Sequence, residues 1–312
     1  MAAEPIRYYD RCARELKTER IYHEKWLRRA YGNPLGRLAV WLLVRRAWFS
    51  RWYGWKMNKT VSSLQVLPFI ADYDLDADEF AKSAFDYKTF NEFFYRALKP
   101  EVRPIAAGKG VAVFPADGRH LAFPDVNAAD GFYVKGRKFA LADLLDGTKG
   151  AGDSLRPLAE TFAGGAMLIS RLCPTDYHRF HFPVAGVPGE SRLVNGWLYS
   201  VSPVALRRNI GYLVENKREI TLIDSPAFGP VAMIEVGATN VGSIRQSFVP
   251  GRAVQKGDEK GFFAFGGSCV ITLFARGRIT FAADIVAQSA QHIETYAKMG
   301  DEVGRSPHFT LL

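Results

Sequence analysis

The stretch with the clearest chemical capability is Phe265-Gly266-Gly267-Ser268-Cys269-Val270-Ile271-Thr272-Leu273-Phe274. Two glycines meet a serine, and a β-branched, aromatic-ended apolar run follows, which predicts a strand opening beside Ser268. Glycine has no Cβ, so the Gly267 carbonyl can be approached closely and held under strain. The neighbouring Ser268 hydroxyl is the natural attacker. Attack would turn the amide into an ester, and β-elimination would then break the chain and leave a dehydroalanine. Hydrolysis would convert that residue to a pyruvoyl group pinned at the head of a strand. The same residues also read as a glycine bulge entering an ordinary strand, so the rest of the chain must decide.

Acid–base groups come from two other segments. Asp117 lies in Pro115-Ala116-Asp117-Gly118, straight after an apolar run, where a turn aspartate is the commonest use. His178 and His181 lie in Pro174-Thr175-Asp176-Tyr177-His178-Arg179-Phe180-His181-Phe182-Pro183, which holds two of the chain's six histidines. That concentration favours placed acid–base groups. No third ligand accompanies them, so no metal site is expected. Ser268, a histidine and Asp117 could form a Ser-His-Asp set in this chain order, although no Gly-x-Ser-x-Gly elbow surrounds the serine. Asp74, Asp76, Asp78 and Glu79 lack the mid-loop glycine and closing glutamate of a calcium loop.

From about Val111 onward, short β-rich runs alternate with turn residues. They are Val111 to Phe114, Ala166 to Arg171, Ile220 to Asp224, Val231 to Val236, Cys269 to Phe274 and Ile279 to Ile285. A helix is expected at Leu141 to Leu145, and Lys256 to Lys260 reads as an exposed loop. The pattern predicts an α+β chain: a helical segment over residues 1–105, then a mostly antiparallel β sandwich or barrel-like catalytic domain over 106–312. Within the first part, residues 7–30 read as a charged helix, and Asn33-Pro34 ends it. A second helix is expected from Leu35 to Trp55, and Thr89 with Glu92 forms a capping box for a helix over 90–97.

The chain has 312 residues and 48% hydrophobic content, enough for a core. Three scattered cysteines, Cys12, Cys173 and Cys269, fit neither a disulfide framework nor a zinc site. The net charge of +9 lies entirely in residues 1–60, which hold fourteen Lys and Arg against five Asp and Glu. Such asymmetry points to an anionic surface, nucleic acid or membrane. Trp41, Val44, Trp48, Trp52 and Trp55 fall on one helical stripe interleaved with Arg37, Arg45, Arg46 and Arg51, a pairing suited to lipid headgroups or to packing on the protein's own core. The apolar run Leu38 to Val44 is too short to span a bilayer, and no secretory signal is evident.

In order and spacing, these segments resemble the phosphatidylserine decarboxylase family over roughly residues 86–285. The resemblance is carried by Tyr87-Lys88-Thr89-Phe90-Asn91-Glu92-Phe93-Phe94, Arg103-Pro104-Ile105, Pro115-Ala116-Asp117-Gly118, Lys135-Gly136 with Leu141-Ala142-Asp143-Leu144-Leu145, and the segment with both histidines. Phe228-Gly229-Pro230, Val236-Gly237-Ala238-Thr239-Asn240-Val241-Gly242-Ser243-Ile244, Lys256-Gly257 and Phe265-Gly266-Gly267-Ser268 complete it. It implies a pyruvoyl-dependent carboxy-lyase that cuts itself between Gly267 and Ser268. Asp117, His181 and Ser268 match the family's self-cleavage triad, and His178 its decarboxylation histidine. The covalent pyruvoyl made from Ser268 would take phosphatidylserine as a Schiff base and release phosphatidylethanolamine and CO₂. The resemblance also implies cut α and β chains held as a heterodimer, or a dimer of that pair. Taken with the basic, Trp-rich N-terminal segment, the resemblance implies a peripheral place on the cytoplasmic face of a membrane, with an anionic phospholipid as partner and no nucleic acid. One departure is Cys269, where the family usually has threonine. The alternatives are a Ser-His-Asp hydrolase and a non-catalytic basic membrane-binding protein, and both require an uncut chain.

Overall fold

A computed structural model describes residues 5–22, 24–127, 141–146, 156–206, 209–239, 243–264 and 268–309. Gly267, the expected cleavage-site partner of Ser268, lies outside these residues, as do Lys135-Gly136, Asn240-Val241-Gly242 and Phe265-Gly266.

The strands, in chain order, are β1 (Arg7–Asp10), β2 (Glu15–Thr18), β3 (Val111–Val113), β4 (Gly118–Phe123), β5 (Ala166–Leu172), β6 (Arg179–His181), β7 (Val187–Pro188) and β8 (Arg192–Val194). They continue as β9 (Arg218–Ser225), β10 (Gly229–Val236), β11 (Ser243–Gln246), β12 (Glu259–Ala264), β13 (Ser268–Phe274), β14 (Thr280–Phe281), β15 (Glu294–Ala297) and β16 (Glu302–Arg305). Ten form one sheet in the order β2-β1-β15-β4-β5-β13-β10-β9-β7, with β8 also on β9. Two three-stranded sheets, β11-β12-β6 and β14-β16-β3, accompany it. Pairing is antiparallel except between β1 and β15. The fold is therefore α+β, as the sequence predicts, and the described strands close no barrel.

Strand β13 is buried along its whole length because both its faces are covered. Cys269, Ile271 and Leu273 face one apolar cluster with Leu121, Ile169 and Ile234. Val270 and Phe274 face the other, with Phe180, Phe182 and Phe263 from the smaller sheets' side. A strand covered on two faces reads as a continuous apolar run, which is why this one is legible in the sequence.

Three expectations outside the Trp-rich segment are corrected. Residues 7–18 form a β hairpin instead of a helix: β1 finds a parallel partner in β15, and Asp10 Oδ1 accepts the Cys12 and Ala13 N–H groups at 3.0 Å to close the turn. Tertiary pairing here overrides local propensity. The β-branched run at Ile279 to Ile285 yields only the two residues of β14 before a helix, Ala283–Ala290, whose Ile285 and Ser289 face inward one turn apart. Of the expected exposed loop Lys256 to Lys260, residues 256–258 form a turn, but Glu259 and Lys260 lie within β12, where Lys260 is fully buried against Glu235 at 2.9 Å.

The N-terminal helices are α1 (Glu24–Gly32), α2 (Pro34–Ala39), α3 (Ala47–Met57), α4 (Val66–Tyr73) and α5 (Phe90–Phe94). The expected helix over Leu35 to Trp55 is broken. A π-helical turn at Val40–Val44 precedes α3, and Arg46 is extended. The break has a cause in Arg45, which turns inward, donates from Nη1 to Tyr199 Oη at 2.5 Å and stacks over Trp197 at 4.0 Å. Val44 is buried, whereas Trp41, Trp48, Trp52 and Trp55 are each at least half exposed. At the start of α5 half of the expected capping box is present: Thr89 Oγ1 accepts the Glu92 N–H at 3.1 Å, but Glu92 reaches back to the Lys88 N–H at 2.8 Å instead of that of Thr89, and the helix expected over 90–97 ends at Phe94.

A buried charge network fastens the N-terminal hairpin to the large sheet. Arg171 donates to both oxygens of Glu19 at 3.0 and 2.8 Å and of Glu294 at 2.9 and 2.5 Å. Burial pushes the Glu19 carboxyl up, but the guanidinium groups of Arg171 and Arg119 outweigh it and hold it at about 2. Because this value is depressed from the ordinary 4.5, the stabilisation is complete above that pH and disappears as the pH falls toward 2. Glu19→Gln is expected to cost on the order of 3 kcal/mol at neutral pH and to flatten the acid limb of the pH–stability curve. Urea unfolding at several pH values checks this, and an unchanged acid limb would contradict it.

Candidate active site

Sheet register brings distant residues to one rung. Ser268 pairs with Leu172, Arg119 with Arg171, and Ala297 with Gly118. Gly118 therefore comes level with Leu172, and Ala297, Gly118, Leu172 and Ser268 line up across four strands. Only glycine permits this approach, since a Cβ on Gly118 would lie 2.5 Å from the Arg171 carbonyl oxygen. Asp117 sits just beyond the rung, two strands or about 10 Å from Ser268.

Ser268 opens β13 and is completely buried. Its Oγ has no hydrogen-bond partner among the described residues. A buried hydroxyl left without a partner costs about 1–3 kcal/mol, so the arrangement is one to be explained by chemistry.

The histidine segment is held beside the strand that leads to Ser268. β6 pairs with β12, with His181 opposite Glu259 and Phe180 opposite Gly261. The Phe263 N–H donates to the His178 carbonyl at 2.9 Å. The turn into this segment is fixed by Asp176, which accepts from the Cys173 N–H at 2.7 Å and from Arg119 Nη1 at 2.7 and 2.9 Å.

Both rings have the same tautomeric logic. His178 Nδ1 lies 2.9 Å from the Asp176 carbonyl, and His181 Nδ1 lies 2.9 Å from the Gly257 carbonyl. A carbonyl only accepts, so each Nδ1 carries the proton and each neutral ring keeps its lone pair on Nε2. His181 Nε2 faces the Tyr177 hydroxyl at 3.3 Å. His178 is stacked 3.9 Å from the Phe94 ring centroid. Burial lowers the His181 pKa, and the Gly257 carbonyl with the fields of Glu259 and Asp117 restores part of the loss.

Asp117 is not hydrogen-bonded to His181. Arg103 clamps its carboxylate, with Nε at 2.9 and 3.0 Å and Nη2 at 2.6 Å, and the Met299 N–H donates at 2.8 Å. Arg103 is itself backed by Glu79 at 2.8 Å, which takes Lys298 at 2.9 Å. Asp117 thus acts on His181 through space.

The sequence reading did not assign a role to Arg103, Arg119, Arg171, Glu19 or Asp176. Arg103-Pro104 was within a recognisable motif, but nothing local marks it as the partner of Asp117, fourteen residues on. His120 was also missed. It is buried with Nδ1 2.9 Å from Ser170 Oγ, and burial lowers its pKa to about 3, so it stays neutral.

A cavity of about 110 Å³ opens beside Leu172, the strand partner of Ser268. Its walls include Trp26, Val201, Pro203 and Thr239, and the Glu19–Arg171 pair lies at its polar side. No group of three or more metal-ligating side chains occurs among the described residues. The geometry thus offers a buried serine at a strand head whose hydroxyl has no partner among the described residues, two buried histidines protonated at Nδ1, and a nearby cavity.

A family model for phosphatidylserine decarboxylase matches residues 90–305. A phosphatidylserine decarboxylase proenzyme of Chlamydia trachomatis serovar L2b is 44% identical over 310 residues, covering 99% of this chain and all of its own. One of Fusobacterium nucleatum is 40% identical over 304 residues, covering 97% of this chain and 99% of its own. Among solved structures, glucose permease IIA of Mycoplasma capricolum covers 62% of this chain and 93% of its own at 14% identity, with a TM-score of 0.28, too low to carry an argument.

The His181 environment gives a direct test. Its imidazole is expected to titrate below the ordinary 6.5, because burial disfavours the charged ring. The associated stability is complete above that pH and is lost as the solution is acidified below it. NMR titration of the ring carbons, assigned with His181→Gln, checks this, and a midpoint above 6.5 would contradict the buried neutral ring.

Proposed function

The chain belongs to the phosphatidylserine decarboxylase family, and from that premise we propose that it decarboxylates phosphatidylserine after cutting itself between Gly267 and Ser268. The observation that carries this is the buried Ser268 hydroxyl at the head of β13, without a partner among the described residues. Names of the relatives as proenzymes support processing of the same kind.

In the proposed cleavage, His181 Nε2 takes the proton of Ser268 Oγ as that oxygen attacks the Gly267 carbonyl. The amide nitrogen departs and an ester remains. β-Elimination then breaks the Cβ–Oγ bond, Gly267 leaves as a carboxylate, and hydrolysis releases ammonia from residue 268. The charge of Asp117, held in place by Arg103, favours the transient imidazolium. The products are residues 1–267 and 268–312. They would remain together, because β13 is paired along its length with β5 and with β10 on its other edge.

The resulting pyruvoyl ketone supplies the electron sink that amino-acid side chains lack. The freed position of Ser268 and the cavity beside Leu172 fit a small carbonyl at this place. His178 is the proposed proton donor to the former α-carbon: it takes a proton at Nε2 and delivers it after CO₂ has left. Such a group contributes about 10²–10⁴-fold.

Ser268→Ala is expected to remain one uncut chain. Asp117→Ala and His181→Ala should be mostly uncut, whereas His178→Ala should be cut yet at least about a hundredfold less active. Intact mass and CO₂ release from phosphatidylserine read both properties. A cut Ser268→Ala chain would sink the scheme, and an uncut His178→Ala chain would sink the division between the histidines.

The proposed setting is a membrane surface. No helix of the described residues is long and apolar enough to cross a membrane. Trp41, Trp48, Trp52 and Trp55 are exposed together with Leu38, Leu42 and Leu43, and Arg51, Lys56 and Lys59 lie among them. Exposed Trp beside cations fits the headgroup layer. Joint replacement of Trp48, Trp52 and Trp55 by serine is expected to weaken binding to anionic vesicles about tenfold or more, while leaving the Glu19 network intact. Unchanged vesicle sedimentation would refute this attachment.

A further inference from the structure

A cavity of about 590 Å³ lies between α3 and the outer face of the β11–β12 pair. Its only charged lining side chains among the described residues are Arg51 of α3 and Arg245 of β11. Among the described residues neither guanidinium has an ion pair or a side-chain hydrogen bond. No carboxylate among the described residues lines this cavity. The cavity around Arg103 differs: every cation there except Arg96 is matched by Glu79, Asp117 or Asp176. Two uncompensated guanidinium groups select an anion, and their planar forks suit phosphate oxygens.

The remaining walls narrow the choice. Tyr95 and Phe262 stack with centroids 4.8 Å apart, and Trp55 stands at the outer lip, 59% exposed on the tryptophan face. Lys59 Nζ lies 3.6 Å over the Trp55 ring, adding a cation at the mouth. At the inner end, Ala264 pairs with Ser243 and precedes Ser268 by four residues, so at most about 14 Å of chain separates the two. The cleft therefore leads from the proposed membrane face toward the reacting residue. Gly54 widens it, since a Cβ there would meet no atom within 4 Å.

We propose that this cleft binds the phosphodiester of the phospholipid substrate, with Arg51 and Arg245 as its donors. The proposal rests on the decarboxylase reading and adds how the headgroup is held. Free phosphate shares the anionic chemistry, but it would leave the aromatic wall unused.

The test uses self-processed protein and dihexanoyl phosphatidylserine below its micelle concentration, which removes the membrane from the measurement. Arg51→Gln and Arg245→Gln are each expected to raise KM about tenfold, with kcat changed less than about twofold and chain cutting unaffected. Gly54→Leu should raise KM without altering charge, because its side chain fills the cleft. Calorimetry with glycerophosphoethanolamine, which has no carboxylate to lose, reads binding without turnover: the wild-type protein should bind it more tightly than inorganic phosphate, and the double arginine variant should bind it at least tenfold less tightly than wild type. An unchanged KM for the soluble lipid in both arginine variants would overturn the proposal, and weaker vesicle binding alone would assign the charges to membrane attraction. Equal binding of inorganic phosphate would also overturn it, marking a general anion site. An uncut or inactive wild-type protein would instead refute the decarboxylase reading, leaving the calorimetric result to judge the cleft separately.

Discussion

The seven-rung pairing of β13 with β5 is the constraint on which the site depends. Side chains alternate across a strand, so a slip of one residue would exchange the two faces of β13 and carry Ser268 to the wrong side. Such a slip is opposed by both apolar clusters at once, because Cys269, Ile271 and Leu273 fill one and Val270 and Phe274 fill the other. The serine is held in place by the strand pairing and its neighbours' packing, while its hydroxyl has no hydrogen bond among the described residues. Reactivity and rigidity therefore come from different atoms: the apolar run holds the register, and the hydroxyl remains available.

The same division appears in the charged groups. Arg171 stands opposite Cys269 in the rung next to Ser268 and draws together Glu19 from the N-terminal hairpin and Glu294 from β15. Arg119 faces it from β4 and fixes Asp176, the residue that sets the turn into the histidine segment. Buried ion pairs are poor sources of net stability, but they penalise any arrangement that separates them. Here that penalty ties the first twenty residues, the central strands and the histidine segment to one geometry. An attack by one side chain on its neighbouring peptide needs such fixed placement, since an error of about 1 Å can cost a hundredfold.

Several parts of this arrangement were legible in the sequence for a physical reason. β13 and β10 are covered on both faces, so each reads as a mostly apolar run, interrupted in β10 by Glu235, and the Thr89–Glu92 cap uses residues three apart. The histidine segment was visible as a dense, proline-bounded cluster. What was hidden depends on partners far along the chain. The β1–β2 hairpin is charged and short, and its strand character comes from β15, nearly three hundred residues away. Arg45 leaves an apparently continuous helix because Trp197 and Tyr199 receive it. Arg103 was visible in a motif, but its grip on Asp117 required the fold. The expected direct contact between Asp117 and His181 is replaced by two separate anchors, Arg103 and the Gly257 carbonyl.

The chain changes sheet between β12 and β13, just before Ser268. β12 belongs to the three-stranded sheet with β6, whereas β13 lies in the ten-stranded sheet, and three residues connect them. Lys260 on β12 and Glu235 on β10 are fully buried and joined at 2.9 Å, and Gln246 bonds to both. This polar clamp joins the two sheets upstream of the crossing, while the β13 pairing holds the chain downstream of it. Both described flanks are thus fixed by pairing and by a buried ion pair. The clamp also keeps β12 beside β6, so the histidines and the strand that delivers Ser268 are positioned by one sheet edge. Ser268 therefore opens a strand held in the large sheet only four residues after the end of a strand held in the small one, so its position is fixed by two separate supports, one in each sheet.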